Sequence, residues 1–462
     1  MARGLPACLL GILVAGAVSC AGDPMVEVRR DFALGRYGAA YERLTDAVRD
    51  AGGDAHLYRL ERAIVALALR NPRRAIEDLR AARDRLDDVQ GADWGGWVKS
   101  MFLDDRQLVY QGADYERVLV RALLAAAELV RRQSTDAFAY ALQVLEKQEE
   151  LIASFRSEDG ARPKDAYKLV AFGSYLAAII DEERLQFDRA RRHLERVRAI
   201  EPAFPYLEGD IQRIEEGHHS EKGNGVVWVI ALVGRGPYRV EVDEPVTRDA
   251  LALAQVIWAF ARRRATIPNI ADVKIPAIAV HADNPTEVHV ETDLGPAGAT
   301  ATVTDVDETA IREFAAMRPY IVARAVVRRA FKIVTTEALK ELARPRRRHP
   351  RGEDLLVDLA ISGAGLVWTA LERADLRSWS LLPARLQALR VELPAGEHEI
   401  VLRAGYEGRP TGAPQVCRVY VRDGYNTYVL AIVPTPEGGP PPLSSEPVEE
   451  APAGAPGIET AS

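Results

Sequence analysis

The sequence is poor in cysteine and histidine. Of its 462 residues, three are cysteines (Cys8, Cys20 and Cys417) and eight are histidines. The first two cysteines lie in an N-terminal segment that we expect to be removed or modified. Cys417 would then remain alone, which excludes an internal disulfide framework. A chain of this length must be stabilised by its hydrophobic core, and we expect it to divide into more than one domain.

An apolar run stands near the N terminus, and it is short. Residues 9–18 carry no charge, but a membrane-spanning helix needs roughly 20 such residues. One positive charge, Arg3, precedes the run and small residues follow it. This order is typical of a cleaved export signal, which we assign to residues 1–19.

The end of this signal carries a residue whose chemistry can be named. Residues 17–20, Ala-Val-Ser-Cys, resemble the bacterial lipobox, in which the cysteine is acylated and becomes the new N terminus. Leu is commoner than Ala at the position of Ala17. We predict lipidation of Cys20, with an ordinary signal peptide and an incidental cysteine as the alternative. Because Ala21 rather than Asp follows, the resemblance implies the outer membrane, facing the periplasm.

The sequence also lacks common catalytic signatures. It contains neither a Gly-x-Ser-x-Gly elbow nor a His-Glu-x-x-His motif, and its net charge of −7 argues against nucleic-acid binding. His281 and His289 are expected to lie near each other across a hairpin, but no cysteine or carboxylate stands at ligand spacing beside them. We therefore predict no catalytic residue, no cofactor and no metal ion, and expect the chain not to be an enzyme.

Residues 20–217 have an almost wholly helical pattern, with Gly and Pro between the periodic segments. Within it, a spacing of small and large residues occurs three times and resembles the packing positions of tetratricopeptide repeats. Small Ala residues let helices approach closely, and each helix pair exposes an apolar face until a neighbour covers it. We predict a helical-repeat solenoid, with a non-repeating bundle as the alternative. The recurring positions are Tyr37, Ala40, Leu44 and Ala47; Ala75, Leu79 and Ala82; and Phe187, Ala190, Leu194 and Val197.

Residues 222–434 have the pattern of a mixed α/β domain. A continuous apolar run at 226–233 predicts a buried strand, and two apolar segments, 275–280 and 287–291, predict a hairpin. An acid-capped helix is predicted from Asp305, followed by a break at Pro319 and a long amphipathic helix to residue 343.

The C-terminal part of this domain alternates between short strands and Gly turns. Residues 385–434 resemble a small β-sandwich of the PEGA type. The predicted fold class is therefore α+β: a tetratricopeptide-like solenoid, then a mixed α/β domain that ends in a sandwich-like sheet. Residues 344–351 form a basic loop, which is either disordered or a site for anionic lipid or polymer. Residues 435–462 are rich in Pro, Gly, Ala, Ser and Glu, and we predict that they are disordered.

Four blocks of the sequence resemble one family. They are Tyr-Glu-Arg-Val-Leu at 115–119, the strand and Gly-Pro turn at 226–239, the helical block at 304–332, and Asp-x-Arg-x-Trp at 375–379, which Leu-Pro follows. Together they resemble a group of bacterial lipoproteins with tetratricopeptide-like repeats and a mixed α/β C-terminal region. No activity is assigned to that group.

Two of these blocks supply the candidate binding residues. Tyr115 and Arg117 open a helix, where the alternative is a structural role in which Tyr115 packs on the neighbouring repeat. Asp375, Arg377 and Trp379 form the best candidate functional cluster, and the alternative is a salt bridge that locks a turn.

These features predict a lipid-anchored scaffold or adaptor of the bacterial cell envelope. Its repeats would present a concave surface to an unidentified envelope protein, and the N-terminal lipid would hold it at the membrane. The alternative is an envelope enzyme or glycan-binding module that acts on peptidoglycan or surface polysaccharide. That alternative requires a carboxylate pair or a triad in the folded chain.

Overall fold

The computed structural model describes residues 24–88, 109–155, 162–260, 272–343 and 374–445. The predicted signal peptide with Cys20, the basic loop at 344–351 and residues 446–462 of the predicted tail lie outside these ranges. Of the helices in the described ranges, none combines the length and the apolarity needed to cross a bilayer.

The N-terminal half is built from helices that each pack on the next one along the chain. Ala40, Ala75 and Ala190, which the sequence placed at close helix crossings, are fully buried. The helices are α1 (Pro24–Ala33), α2 (Tyr37–Asp50), α3 (Ala55–Ala68), α4 (Pro72–Asp88), α5 (Asp114–Val130), α6 (Ser134–Ala153), α7 (Phe172–Glu183), α8 (Phe187–Ile200) and α9 (Leu207–Glu215).

Four pairs of these helices share one type of turn. Gly35, Arg70, Arg132 and Leu185 follow α1, α3, α5 and α7 in the left-handed conformation, with φ between 57° and 72°. In each turn, the N–H of the next residue donates to the carbonyl oxygen five residues back, as in a Schellman motif. The turns within the pairs α1–α2, α3–α4, α5–α6 and α7–α8 are therefore alike.

The central sheet of the fold has five strands in the order β12-β11-β1-β7-β6. Strand β1 (Asn224–Val233) pairs in parallel with β11 (Asn426–Val433) and antiparallel with β7 (Arg385–Pro394). The outer strands are β6 (Ala301–Asp305) and β12 (Leu443–Ser444). Strand β1 is buried on both faces, which explains its uninterrupted apolar sequence.

The two faces of the central sheet contact different layers. Trp228 shares one core with the helices, and its ring lies edge-on against Tyr175 of α7 at 5.9 Å between centroids. Val227 and Val229 point the other way, into a second core. The helical face that contacts the sheet is thus covered within the chain, because the apolar face of β1 needs a covering layer. A partner could bind to this face only by displacing the sheet.

The second sheet completes a sandwich with the central sheet. Its order is β10-β8-β4-β5, with β9 paired to β8. The strands are β4 (Glu287–Thr292), β5 (Gly295–Ala299), β8 (Gly396–Tyr406), β9 (Arg409–Pro410) and β10 (Gln415–Val421). The predicted sandwich within residues 385–434 is wrong in its boundary. Its strands are divided between the two sheets, and each sheet needs strands from residues 224–305 to bury its inner face.

A smaller layer lies beside the sandwich. Strands β2 (Tyr238–Pro245) and β3 (Asp272–Ala279) pair antiparallel, and the helices α10 (Arg248–Phe260) and α11 (Val306–Ala343) pack with them around a third core. The predicted hairpin over 275–291 is therefore wrong. Strand β3 pairs with β2, whereas β4 pairs with β5 and β8, because the buried side chains of β3 and β4 fill different cores.

The histidines on either side of that predicted hairpin consequently have different neighbours. His281 stacks near Tyr238 at 4.8 Å between ring centroids, and His289 lies 3.5 Å from the Glu287 carboxylate. In the described part of the chain, no group of three or more His, Cys, Asp or Glu side chains could hold a metal ion.

Helix α11 continues through Pro319, where the sequence predicted a break. A proline inside a helix removes one backbone hydrogen bond and costs about 3 kcal/mol. The helix packs against α5, α10, β3 and β7, before and after Pro319. We attribute its continuity to that packing, which outweighs the local cost. Asp305 caps the helix as predicted, and its carboxylate accepts the Glu308 N–H at 2.8 Å.

The predicted disordered tail begins too early. Leu443 is 4% exposed and pairs with Leu430 of β11, and the N–H of Ser445 donates to the Tyr428 carbonyl at 2.8 Å. Residues 435–445 therefore belong to the fold, because Leu443 covers part of the core that the central sheet shares with the helices.

Candidate binding cleft

A segment without regular secondary structure crosses the helical half and carries three of the predicted site residues. We name residues 374–384 the buried segment, since most of it is inaccessible to solvent. Two glutamates of the helices, Glu61 on α3 and Glu116 on α5, accept hydrogen bonds from its backbone. The buried segment is thereby attached to two successive helix pairs.

Glu61 is fully buried and accepts three hydrogen bonds from this segment. The N–H and the hydroxyl of Ser380 donate to Oε1 at 2.7 and 2.9 Å, and the N–H of Leu381 donates to Oε2 at 2.8 Å. Burial raises the pKa of Glu61 to about 7, against these hydrogen bonds, which favour the charged form.

Glu116 is also fully buried and organises the helix start that the sequence singled out. It accepts hydrogen bonds from the Tyr110 hydroxyl, from the Ala113 N–H at 2.8 Å and from the Trp379 N–H at 2.8 Å. A buried carboxylate is costly unless donors surround it. These donors come from two distant parts of the sequence and meet at one side chain.

Asp375 and Arg377 form the salt bridge that was the structural alternative, and they also reach the helical half. Arg377 donates to Asp375 at 2.9 Å through Nε and at 2.8 Å through Nη2, and to Asp54 at 2.5 Å through Nη1. The guanidinium lies over the Tyr110 ring at 5.8 Å. Removing Arg377 would therefore loosen both the turn and its attachment to the helices.

Of the remaining predicted residues, Trp379 and Arg117 are buried within the fold, and Tyr115 lines the cleft. Trp379 is fully buried, and its indole Nε1 has no hydrogen-bond partner within the described residues. Arg117 is buried, and its Nε donates to the Gln111 carbonyl at 2.8 Å, which fits the structural alternative. Tyr115 is nearly buried and lines the cleft together with Asp375 and Arg377.

The cleft lies between the helical half and the smaller layer, and it has a volume of about 270 Å³. Its walls come from the start of α5, from β2 and β3, from α11 and from the buried segment. Apolar side chains such as Phe314, Met317 and Ile321 line one part of it. The charged side chains in the lining are Arg239, Lys274, Glu313, Arg324, Arg328, Asp375 and Arg377.

The charges of this lining differ in sign from the chain as a whole. Five basic and two acidic residues give the lining a formal charge of +3, whereas the chain carries −7. Lys274 is paired with Glu241 at 2.6 Å. Glu313 accepts the N–H groups of Asp114 and Tyr115 at 2.9 and 2.7 Å, and burial together with the Asp114 carboxylate raises the pKa of Glu313 above its usual range.

The lining contains no serine, cysteine or histidine within the described ranges. His56 contacts a lining residue through the backbone: its Nε2 donates to the carbonyl oxygen of Tyr110 at 2.6 Å. Cys417 is buried in β10, and burial raises its pKa to about 12. The described lining combines charged groups, aromatic rings and apolar surface.

Sequence reasoning missed most of the charged lining and the buried Glu61. The arginines of α11 stand in the predicted amphipathic helix without a distinguishing motif, and Arg239 and Lys274 gave no signal because the pairing of β2 with β3 was not predicted. One signal was present for Glu61. It stands three residues before Ile64 on a helix whose buried face contains both positions, and a charge on such a face needs a partner.

No protein-family model matches the chain, and no curated protein or solved structure is significantly similar to it. The resemblance to a family of bacterial lipoproteins accordingly stays a prediction, and the function has to be inferred from the cleft and its chemistry.

Proposed function

We propose that this chain is a lipid-anchored adaptor of the bacterial cell envelope, which binds its partner in the cleft. One observation carries the proposal: Tyr115, Asp375 and Arg377, singled out from distant parts of the sequence, all line the same cleft. Recognition sites commonly combine an apolar lining with a few polar groups. The cleft has both.

The packing of the helices supports the cleft as the partner site over the helical face that contacts the central sheet. The central sheet packs on the helices, and the N–H of Phe172 on α7 donates to the Thr304 hydroxyl of β6 at 3.1 Å. A partner on that face would have to displace part of the core. The cleft can be entered without such a rearrangement.

The anchor is the second half of the proposal. Helix α1 begins at Pro24, a few residues after Cys20. An extended chain spans at most roughly 3.3–3.6 Å per residue, so lipidation at Cys20 would hold the first helices close to the membrane surface. Metabolic labelling with palmitate tests this point. We expect labelled protein from the natural chain and none from Cys20→Ala, and labelling of both chains would contradict the anchor.

The partner site can be tested in cells that naturally express the chain. A photo-crosslinking residue, p-benzoylphenylalanine, is placed at Gln111, which is exposed and lines the cleft. The matched control carries it at Val416, which is 47% exposed and does not line the cleft. We expect a discrete adduct from Gln111 alone. No adduct, or the same adduct from both positions, would count against the adaptor proposal.

A second candidate function is a glycan-binding module or an enzyme of the envelope. It is favoured by two carboxylates, Glu313 and Asp375, that line the same cleft as Tyr110 and Tyr115. Binding and hydrolysis of peptidoglycan fragments by the purified chain test this function. It requires that Asp375→Asn and Glu313→Gln remove the activity while both variants remain folded.

A further inference from the structure

A second pocket lies at the edge of the helical half, where the turns after α3 and α5 meet strand β12. It has a volume of about 380 Å³ and shares no lining residue with the cleft. Its described lining contains three arginines and no carboxylate, so its formal charge is +3. We name it the turn pocket, and its polar lining residues are Arg70, Asn71, Arg73, Arg131, Gln133 and Ser444.

Two of these three arginines are available to a ligand. Arg70 and Arg73 are exposed, and within the described part of the chain neither guanidinium has an ion pair or a hydrogen bond. Arg131 differs, since it lies 3.4 Å from the Glu128 carboxylate, which Arg80 also contacts at 2.7 Å. The free positive charge of the pocket therefore belongs to Arg70 and Arg73, which we call the arginine pair.

The backbone fixes the positions from which the arginine pair extends. Arg70 is in the left-handed conformation, with a φ of 59°, and the N–H of Asn71 donates to the Ala66 carbonyl at 2.8 Å. The Asn71 side chain accepts the N–H of Arg74 at 3.1 Å and so caps α4 beside Arg73. A site whose backbone is already ordered loses less conformational entropy when a ligand binds.

Neutral polar side chains complete the lining of the turn pocket. Gln133 directly precedes α6, and Ser444 lies on β12, so donors from three parts of the fold line one cavity. A phosphate monoester has three terminal oxygens that accept hydrogen bonds from several directions, whereas the two oxygens of a carboxylate lie in one plane. Guanidinium groups match phosphate oxygens through paired N–H donors. The positive ends of the α4 and α6 dipoles add to the attraction.

We propose that the turn pocket binds the phosphate group of a phosphate ester, with the arginine pair as its charged donors. This site is separate from the cleft and goes beyond the proposed function, so either proposal can fail without the other. The same phosphate group occurs in soluble polyol or sugar phosphates and in the headgroup of an anionic lipid.

Calorimetric titration of the purified chain tests the site with three related probes. Glycerol 3-phosphate carries the phosphate, glycerate carries a carboxylate instead, and glycerol is neutral. We expect glycerol 3-phosphate to bind at least about tenfold more tightly than the other two, since one additional hydrogen bond to a charged group contributes about this factor. Glycerol 3-phosphate that binds no more tightly than glycerate would overturn the assignment to phosphate.

The chain's own carboxylates are tested as competitors for the arginine pair. Glutamates follow the pocket closely in the sequence, at positions 446, 449 and 450. The variant Glu446→Gln, Glu449→Gln, Glu450→Gln removes these charges. Binding of glycerol 3-phosphate by this variant, as tightly as by the natural chain or more tightly, supports the site. The absence of binding by this variant would overturn the proposal.

Two double variants locate the binding. Arg70→Gln with Arg73→Gln removes the arginine pair, and Arg192→Gln with Arg196→Gln removes two exposed charges of α8 that do not line the pocket. We expect the first pair to weaken glycerol 3-phosphate binding about tenfold or more and the second to leave it unchanged. Equal losses in both would overturn the assignment. A thermal unfolding midpoint close to that of the natural chain shows that each variant is folded.

A last comparison separates the two sources of the phosphate. Dihexanoyl phosphatidate, a soluble short-chain lipid, is titrated beside glycerol 3-phosphate. Tighter binding of the lipid identifies a lipid headgroup, and tighter binding of glycerol 3-phosphate identifies a soluble ester; both support the proposal. The tighter ligand must also bind more weakly to the variant without the arginine pair, and unchanged binding there would overturn the assignment to the turn pocket.

Discussion

Glu61 should make the stability of the fold depend on pH in an unusual direction. Its pKa is raised by burial from 4.5 to about 7. Above pH 4.5 the unfolded chain ionises this glutamate, whereas the folded chain keeps its proton until about pH 7. In this window the folded state binds more protons than the unfolded state, so the free energy of unfolding falls as pH rises.

The size of this effect follows from the difference between the two pKa values. One pKa unit corresponds to about 1.4 kcal/mol, so the contribution of Glu61 falls by about 3 kcal/mol between pH 4.5 and pH 8. Other carboxylates titrate in the same range, among them Asp307, whose pKa burial and Asp305 raise to about 7. A variant at Glu61 isolates its part, since the other groups are present in both chains.

Glu61→Gln is the appropriate variant because it is nearly isosteric and does not ionise. Its amide keeps one acceptor oxygen for Ser380 but places an NH₂ group against the Leu381 N–H. Leaving that buried N–H unsatisfied costs about 1–3 kcal/mol at acid pH. As pH rises, the natural chain loses stability that the variant does not lose, so the deficit of the variant shrinks by about 3 kcal/mol and can reverse its sign.

Urea unfolding followed by tryptophan fluorescence at pH 5 and pH 8 measures this deficit. Glu42→Gln provides the control, since Glu42 is exposed on α2 and its replacement should change the free energy of unfolding little at either pH. A deficit of Glu61→Gln that is the same at both pH values would refute the reasoning, because Glu61 would then ionise alike in the folded and unfolded chains.

Three further predictions concern packing and reactivity. Trp379→Ala should lower the free energy of unfolding by about 3–5 kcal/mol, since Trp379 is fully buried in the segment that Glu61 and Glu116 bind. A loss below about 1 kcal/mol would show that this segment is not part of the core. Gly234→Ala should lower the unfolding midpoint in urea well below that of Gly35→Ala. Both glycines have φ above 70°, but a Cβ at 234 would lie 2.8 Å from Asn284, whereas a Cβ at 35 would meet no atom within 4 Å. Equal effects of the two substitutions would contradict this account. Cys417 should react with a thiol reagent slowly in the native chain and fast in urea, because burial raises its pKa to about 12, and fast reaction in both would contradict the burial.

The parts of the fold that depend on local pattern could be predicted from the sequence. The apolar run at 226–233 became a strand buried on both faces, and four of the five predicted Ala positions, Ala40, Ala75, Ala82 and Ala190, are fully buried. Both signals depend on the periodicity of a single element. The recurring turn after α1, α3, α5 and α7 was not anticipated, because only one of its four left-handed residues is a glycine.

Strand pairing was harder to predict from the sequence, because it depends on partners that are distant in the sequence. Strands β3 and β4 follow each other closely and looked like a hairpin, but β3 pairs with β2 and β4 pairs with β8, more than a hundred residues away. A hairpin pattern shows only that two apolar segments flank a turn. Which core each segment fills depends on the other layers of the fold.

The residues of the cleft could likewise be predicted only in part from local sequence patterns. Tyr115, Asp375 and Arg377 could be selected from the sequence because each stands in a conspicuous local motif, but Arg239, Arg324 and Arg328 occur in segments that have the pattern of ordinary strand and helix. The buried segment brings Asp375 and Arg377 to the cleft, and Glu61 and Glu116 attach this segment to successive helix pairs through its backbone N–H groups. Every residue except proline has a backbone N–H group. The side chains of the segment therefore do not indicate which helices it binds. The two glutamates do indicate these helices, because a carboxylate on the buried face of a helix requires donors from outside that helix. A buried acid within an apolar helical pattern is therefore the sequence feature that could have indicated where the two halves of this chain meet.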